Sequence, residues 1–106
     1  MASEREGQVM VLFVSTRTGD DTAGYDVAAA AMDRLAAEQP GYCGVESVRD
    51  ADGHGMTASF WASEADAVAW RDVAEHAAIR ALGRERWYQS YEVIVSTVTR
   101  DYRWRR

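Results

Sequence analysis

A two-layer α+β fold, with a four-stranded antiparallel sheet and two helices on one face, is what the sequence predicts. Three observations carry this. Apolar runs rich in strand-forming residues lie towards both ends, Val9–Val14 (VMVLFV) and Tyr91–Thr99 (YEVIVSTVT). Two further strand-like runs, Tyr42–Arg49 and Met56–Trp61, flank the turn-forming segment Asp50–Gly55 (DADGHG). Two stretches with apolar residues at helical spacing, Gly24–Gln39 and Ser63 to about Leu82, fill the gaps. The order is β-α-β-β-α-β, the ferredoxin-like arrangement.

Each element has a local reason. Val9–Val14 is apolar without alternation, the pattern of a strand covered on both faces. The polar residues 1–8 before it are expected to form a disordered tail, leaving 9–106 as a single domain. Arg17–Ala23 is a turn-rich loop. The first helix carries Tyr25, Ala28, Ala29, Met32, Leu35 and Ala36 on one stripe and closes at Pro40-Gly41. Within Tyr42–Arg49, Gly44 is a candidate bulge. Met56, Ala58 and Phe60 share one face of the third strand, and Thr57, Ser59 and Trp61 the other. Ser63 and Asp66 form a capping box that opens the second helix, with Ala67, Trp70, Val73, Ala74, Ala77 and Ala81 on its apolar stripe, and Gly83 as its end or kink.

The first and last strands are apolar on both faces, whereas helices cover only one. A second copy of the sheet is the expected cover for the other face, which implies a homodimer. A chain of 106 residues supports one domain, and at this size association adds needed burial.

Composition excludes several classes. The net charge of −5, with 17 acidic and 12 basic residues, disfavours nucleic acid and anionic membrane as partners. The RNA-recognition module shares the strand order but needs stacking aromatics on a basic sheet, which VMVLFV does not supply. Cys43 is the sole cysteine, so neither a disulfide framework nor a cysteine metal cluster is available. No apolar run approaches the roughly 18 residues of a membrane span, and the first residues do not read as a signal peptide, so a cytoplasmic location is expected.

The second half resembles the antibiotic biosynthesis monooxygenase family of small dimeric α+β-barrel proteins. The residues that carry the resemblance are Pro40-Gly41-Tyr42, Ser59 to Ala65 (SFWASEA), Ala69-Trp70-Arg71, Glu75-His76, Gly83-Arg84, Trp87-Tyr88, Tyr91 and Arg100-Asp101-Tyr102. The resemblance implies a homodimer whose two sheets form one barrel, with a pocket in each subunit between helices and sheet. It implies a cofactor-independent oxygenase that converts anthrone-like polycyclic phenols to quinones, with haem binding or degradation as the alternative branch. A third reading is a small-ligand-binding dimer without turnover, because the fold alone hosts many functions.

Trp70 matches the helix tryptophan that these oxygenases hold beside the substrate; its plain alternative is a core residue. Trp61, Phe60 and Tyr91 are expected to line the same aromatic substrate site. His76, at the margin of the helix stripe, is the candidate base or, in the haem branch, the iron ligand, with a surface histidine bonded to Asp72 or Glu75 as the alternative. Arg80 or Tyr91 is the candidate donor to a developing oxyanion. Arg84, Trp87 and Tyr88 form a basic, aromatic patch that suits a dimer interface. His54, in the hairpin loop, is expected to be solvated. Both branches of the family use an Asn near the tryptophan. This chain contains no Asn, leaving Ser15, Thr16 or Ser59 to supply that hydrogen bond.

Overall fold

The structure, a computed structural model, describes residues 4–81 and 84–106, with the side chains of 78–85 outside that description. Its elements are β1 (Val9–Arg17), α1 (Thr22–Ala37), β2 (Tyr42–Arg49), β3 (His54–Trp61), α2 (Glu64–Ala81), a short α3 (Arg84–Trp87) and β4 (Tyr88–Thr97). The strands form one sheet in the order β2-β3-β1-β4, every neighbouring pair antiparallel. This is the expected ferredoxin-like topology.

The register sorts the side chains. Val9 pairs with Trp61 and Thr97, Val11 with Ser59 and Val95, Phe13 with Thr57 and Val93, and Ser15 with Gly55 and Tyr91. Val9, Trp61, Ala36 of α1 and Ala67 of α2 form the core, with Val11, Tyr42 and Trp70 packed against it. These odd-numbered residues of β1 therefore face the helices. Met10, Leu12 and Val14 face the other way, beside Phe60, Ala58 and Met56 of β3 and Ile94 of β4.

Turn chemistry fixes the connections. Asp21, in the left-handed region at φ 50°, accepts from the Gly24 N–H and caps α1. Gly41, at φ 80°, turns the chain into β2; its carbonyl accepts from the Ala62 N–H at 2.8 Å, and a Cβ there would collide with the Asp66 carboxylate. The capping box forms as expected, with Ser63 Oγ accepting from the Asp66 N–H at 3.1 Å. The register between β2 and β3 slips between Tyr42 and Gly44, so the expected bulge is present, with Gly44 at φ 133°.

Three expectations need correction. β3 begins at His54, two residues before the predicted start, because Asp50 Oδ1 accepts from the N–H groups of both Asp52 and His54 and shortens the loop. β1 runs on to Arg17 and β4 begins at Tyr88, pairing across Thr16 and Arg17 beyond the apolar runs. The expected tail at 1–8 is ordered over Arg5–Gln8. Gly7 N–H donates to Val98 O at 2.9 Å, Val98 N–H to Gln8 O at 2.8 Å, and Arg5 N–H to Asp101 Oδ1 at 3.0 Å. The Arg5 guanidinium lies 3.6 Å from the centre of the Phe60 ring.

Candidate functional site

Trp61 is fully buried, its indole N–H donating to Ser59 Oγ at 3.0 Å. It stacks on Trp70 of α2, with ring centroids 5.5 Å apart and planes 22° from parallel, and meets the Tyr42 edge at 5.8 Å. The two tryptophans are therefore together, at the end of the sheet where β3 leads into α2. Phe60, adjacent in sequence, projects to the opposite face under Arg5 and cannot share a pocket with them. Its expected place in the lining is corrected by the alternation of the strand.

Tyr91 stands on the helix side at the other end. Its ring stacks on Phe13 at 5.3 Å, and Tyr88 contacts both Phe13 and Tyr91 edge-on at 5.4 and 6.0 Å. Along β4, between these rings and the tryptophan end, the helix-side residues Val93 and Val95 are 52% and 54% exposed. An apolar strip beside the helical layer thus lies open, bounded by aromatic rings.

A polar cluster closes the Tyr88 end. Arg49 Nη2 donates to Ser15 Oγ at 2.8 Å and to the Tyr25 hydroxyl at 3.2 Å. The Arg17 guanidinium lies 3.7 Å from the Tyr25 ring centre, and its Nε donates to Trp87 O at 3.1 Å. Burial, with the Tyr25 hydroxyl beside it, pushes the Tyr88 phenol above the ordinary tyrosine range, against a smaller opposing pull from Arg49 and Arg17. The phenol stays protonated.

Trp87 and Tyr88, read from sequence as dimer contacts, pack within the chain. Both rings meet the Tyr25 edge, at 6.0 and 5.9 Å, and the Trp87 indole N–H donates to Asp21 Oδ2 at 3.2 Å. His76 is exposed on α2, outside the half-buried stripe of Trp70, Val73, Ala74 and Ala77. The side chains of Arg80 and Arg84 lie outside the described residues. His54 is bound through Nδ1 to Thr16 Oγ1 at 3.0 Å and lines an open groove of about 300 Å³ with Val14, Ser90 and Glu92. Sequence reasoning missed this groove because His54 was assigned to a loop. Both histidines are exposed. Among the described residues no helix is long and apolar enough to cross a membrane, and no group of three metal-ligating side chains occurs.

Residues 8–82 match the antibiotic biosynthesis monooxygenase family. The chain belongs to that family. A curated relative, the uncharacterized protein YqjZ of Bacillus subtilis (strain 168), is 49% identical over 91 residues, spanning 86% of this chain and 79% of the relative. Among solved structures, the family fold is shared with SnoaB, a cofactor-independent oxygenase from Streptomyces nogalater (TM-score 0.69, 18% identity, 87% of this chain and 93% of that one). PA3566 from Pseudomonas aeruginosa is similar as well (TM-score 0.70, 11% identity, 89% and 96% covered). At these identities the structural likeness is one of fold.

For an antibiotic biosynthesis monooxygenase family member without Asn, the hydroxyls that were expected to replace it are engaged elsewhere. Ser59 accepts from Trp61, Ser15 from Arg49, and Thr16 is paired with His54. The polar chemistry on the helix side gathers instead around Tyr25, Tyr88 and Arg49; Tyr25 and Arg49 belong to no motif, and the three come together through the packing of α1 on the sheet that carries β2 and β4.

Proposed function

We propose that this protein is a cofactor-independent monooxygenase that converts an electron-rich polycyclic phenol of the anthrone type to a quinone. The observation that carries the reading is the open apolar strip of Val93 and Val95 between stacked aromatic groups, in a chain of this family. A flat ligand covers such a strip with its face and leaves its oxygen at the polar end.

The chemistry asks little of the protein beyond removing a proton and holding the resulting anion. Loss of the proton gives an electron-rich enolate that itself reduces O₂; a new C–O bond forms, one oxygen atom remains as the quinone carbonyl and the other leaves as water. His76, exposed on α2, is the proton acceptor in this proposal, and Arg80 a donor to the oxyanion. Trp61, Trp70 and Tyr91 form the aromatic surround.

The same reading includes a homodimer with sheets face to face. Its support is the second face of the sheet, where Met56 and Ile94 are 46% and 44% exposed beside Met10, Leu12 and Val14. A cytoplasmic location completes the proposal.

Aerobic incubation with dithranol tests the activity. The expected result is protein-dependent quinone absorbance with one O₂ consumed per product. Quinone formation no faster than in buffer, at protein concentrations matching the substrate, overturns it.

A further inference from the structure

Charge is unevenly spread along the chain. Residues 100–106 carry four Arg and one Asp, whereas residues 1–99 hold eight Arg against sixteen acidic residues. Within this basic segment Tyr102 and Trp104 are 77% and 76% exposed, more than any other large apolar side chain among the described residues. Its root is fixed. Val98 is paired with Gly7 and Gln8, the Arg5 N–H donates to Asp101 Oδ1, and Arg103 Nη1 meets Glu4 Oε2 at 2.7 Å. Arg5 in turn covers Phe60, so the root lies at the rim of the sheet face turned away from the helices. Beyond it, the Arg106 guanidinium lies 5.4 Å from the Trp104 ring centre, and neither Arg105 nor Arg106 forms an ion pair among the described residues.

The same face carries a complement at its opposite end. Strand parity puts Val14, Thr16, His54, Ser90 and Glu92 together there, around the open groove of about 300 Å³. Thr16 Oγ1 and His54 Nδ1 satisfy each other, while the Glu92 carboxylate forms no ion pair among the described residues. The segment does not reach the groove of its own chain. β1 runs from Val9, beside Thr97, to Thr16, beside Ser90, about 23 Å at strand rise, and Arg103 is already held at the near end.

We propose that residues 104–106 dock in the His54–Ser90–Glu92 groove of a second copy of this chain, with Trp104 seated over Val14 and Thr16 and the Arg105 and Arg106 guanidiniums beside Glu92. This docking rests on the face-to-face dimer proposed above and adds its orientation: groove and segment meet when the two sheets stack with their β1 strands running in opposite directions. A two-fold axis then makes the contact twice. Trp and Arg are the side chains that anchor such contacts best. The acidic charge of residues 1–99 attracts the basic segment of another copy and opposes nucleic acid or anionic lipid as the occupant.

Sedimentation velocity on the full chain measures the dissociation constant of the dimer. Trp104→Ala and Glu92→Arg, both at exposed positions, are each expected to weaken association at least about tenfold with an unchanged far-ultraviolet spectrum. Joining Glu92→Arg to Arg105→Glu and Arg106→Glu should bring the constant back to within about threefold of wild type, because the reversed charges attract again. In a Cys43→Ser background, Trp104→Cys together with Ser90→Cys should give a disulfide-linked dimer on oxidation, and either cysteine alone should not. A dimer whose constant neither Trp104→Ala nor Glu92→Arg changes overturns the docking and leaves the face-to-face dimer standing. Weakening by Glu92→Arg that the reversed charges do not relieve also overturns it. So does binding to phosphatidylserine vesicles that needs Trp104, in a dimer these variants leave undisturbed; the segment then belongs to a lipid surface. A wild type that stays monomeric at low micromolar concentration overturns the dimer reading itself and the docking with it.

Discussion

Trp61 and Trp70 stack across the sheet–helix junction with their rings 22° from parallel, one fully buried and the other half-buried. The pair joins β3 to α2 and forms one boundary of the apolar strip, so the two rings differ in what their loss removes. Trp61→Ala opens a cavity under the helices and strands the Ser59 hydroxyl; it should cost about 3–5 kcal/mol. Trp70→Ala should cost less, about 1–3 kcal/mol, because water can reach part of the vacated space. Urea unfolding of the two variants separates these outcomes.

Gly41→Ala should destabilise the fold by more than about 1 kcal/mol. The backbone sits at φ 80°, which an L side chain resists, and the new methyl meets the Asp66 carboxylate of the capping box. A shifted urea midpoint with unchanged slope is the expected reading. Adding Asp66→Ala should recover only part of the loss, since it removes the carboxylate but keeps the Cβ at position 66, 2.7 Å from the new methyl, and leaves the backbone strain.

Asp21 ties acid stability to Trp87. The indole N–H holds its carboxyl below the ordinary value of 3.8, outweighing the opposing effect of burial, with smaller help from the Gly24 N–H and Arg86. A carboxyl whose folded-state pKa is depressed contributes stability at pH above its unfolded value and loses that contribution as pH falls through the folded one. Tryptophan emission should therefore show a step below pH 3.8 that is absent in Asp21→Asn.

Leu12→Asp puts a charge in the middle of the second sheet face, between Ala58 and Ile94. For a face-to-face dimer, the burial of that carboxylate is prohibitive, and sedimentation should give a dimer for the wild type and a monomer for the variant. A monomeric wild type at low micromolar concentration sinks the dimer proposal.

His76→Gln should lower the rate of quinone formation at least tenfold with fold and assembly unchanged, since general-base contributions start near a hundredfold. Because His76 is exposed, its removal should leave the unfolding free energy within about 0.5 kcal/mol of wild type. Equal rates in an active wild type and the variant remove His76 from the reaction.

Element order and topology were legible because periodicity and capping signals agree: Ser63 and Asp66 form the box that their spacing announces, and Gly44 marks the bulge. Boundaries were less so. Thr16, Arg17 and His54 are strand residues by pairing with neighbours remote in sequence, a relationship that polar side chains do not advertise. The same holds for the site. Trp61 and Trp70 are readable as a pair on the helix side, whereas Phe60, next to Trp61 in sequence, is carried to the opposite face by strand alternation. Tyr25 and Arg49 belong to no motif. They meet Tyr88 through the packing of α1 on the sheet and the reach of Arg49 from β2, and no local pattern encodes that meeting.

The alternation at Phe60 and Trp61 has a wider consequence. Two neighbouring codons on β3 serve surfaces separated by the thickness of the sheet, one turned to Arg5 and the outer face, the other to the tryptophan stack. The sheet acts as a partition. Changes at Met56, Ala58 or Ile94 can remodel what docks on the outer face without touching Ser15, Tyr25 or Tyr88, and specificity can drift on the helix side without altering assembly. The two properties are free to diverge independently among related chains, strand by strand, one parity of residues at a time.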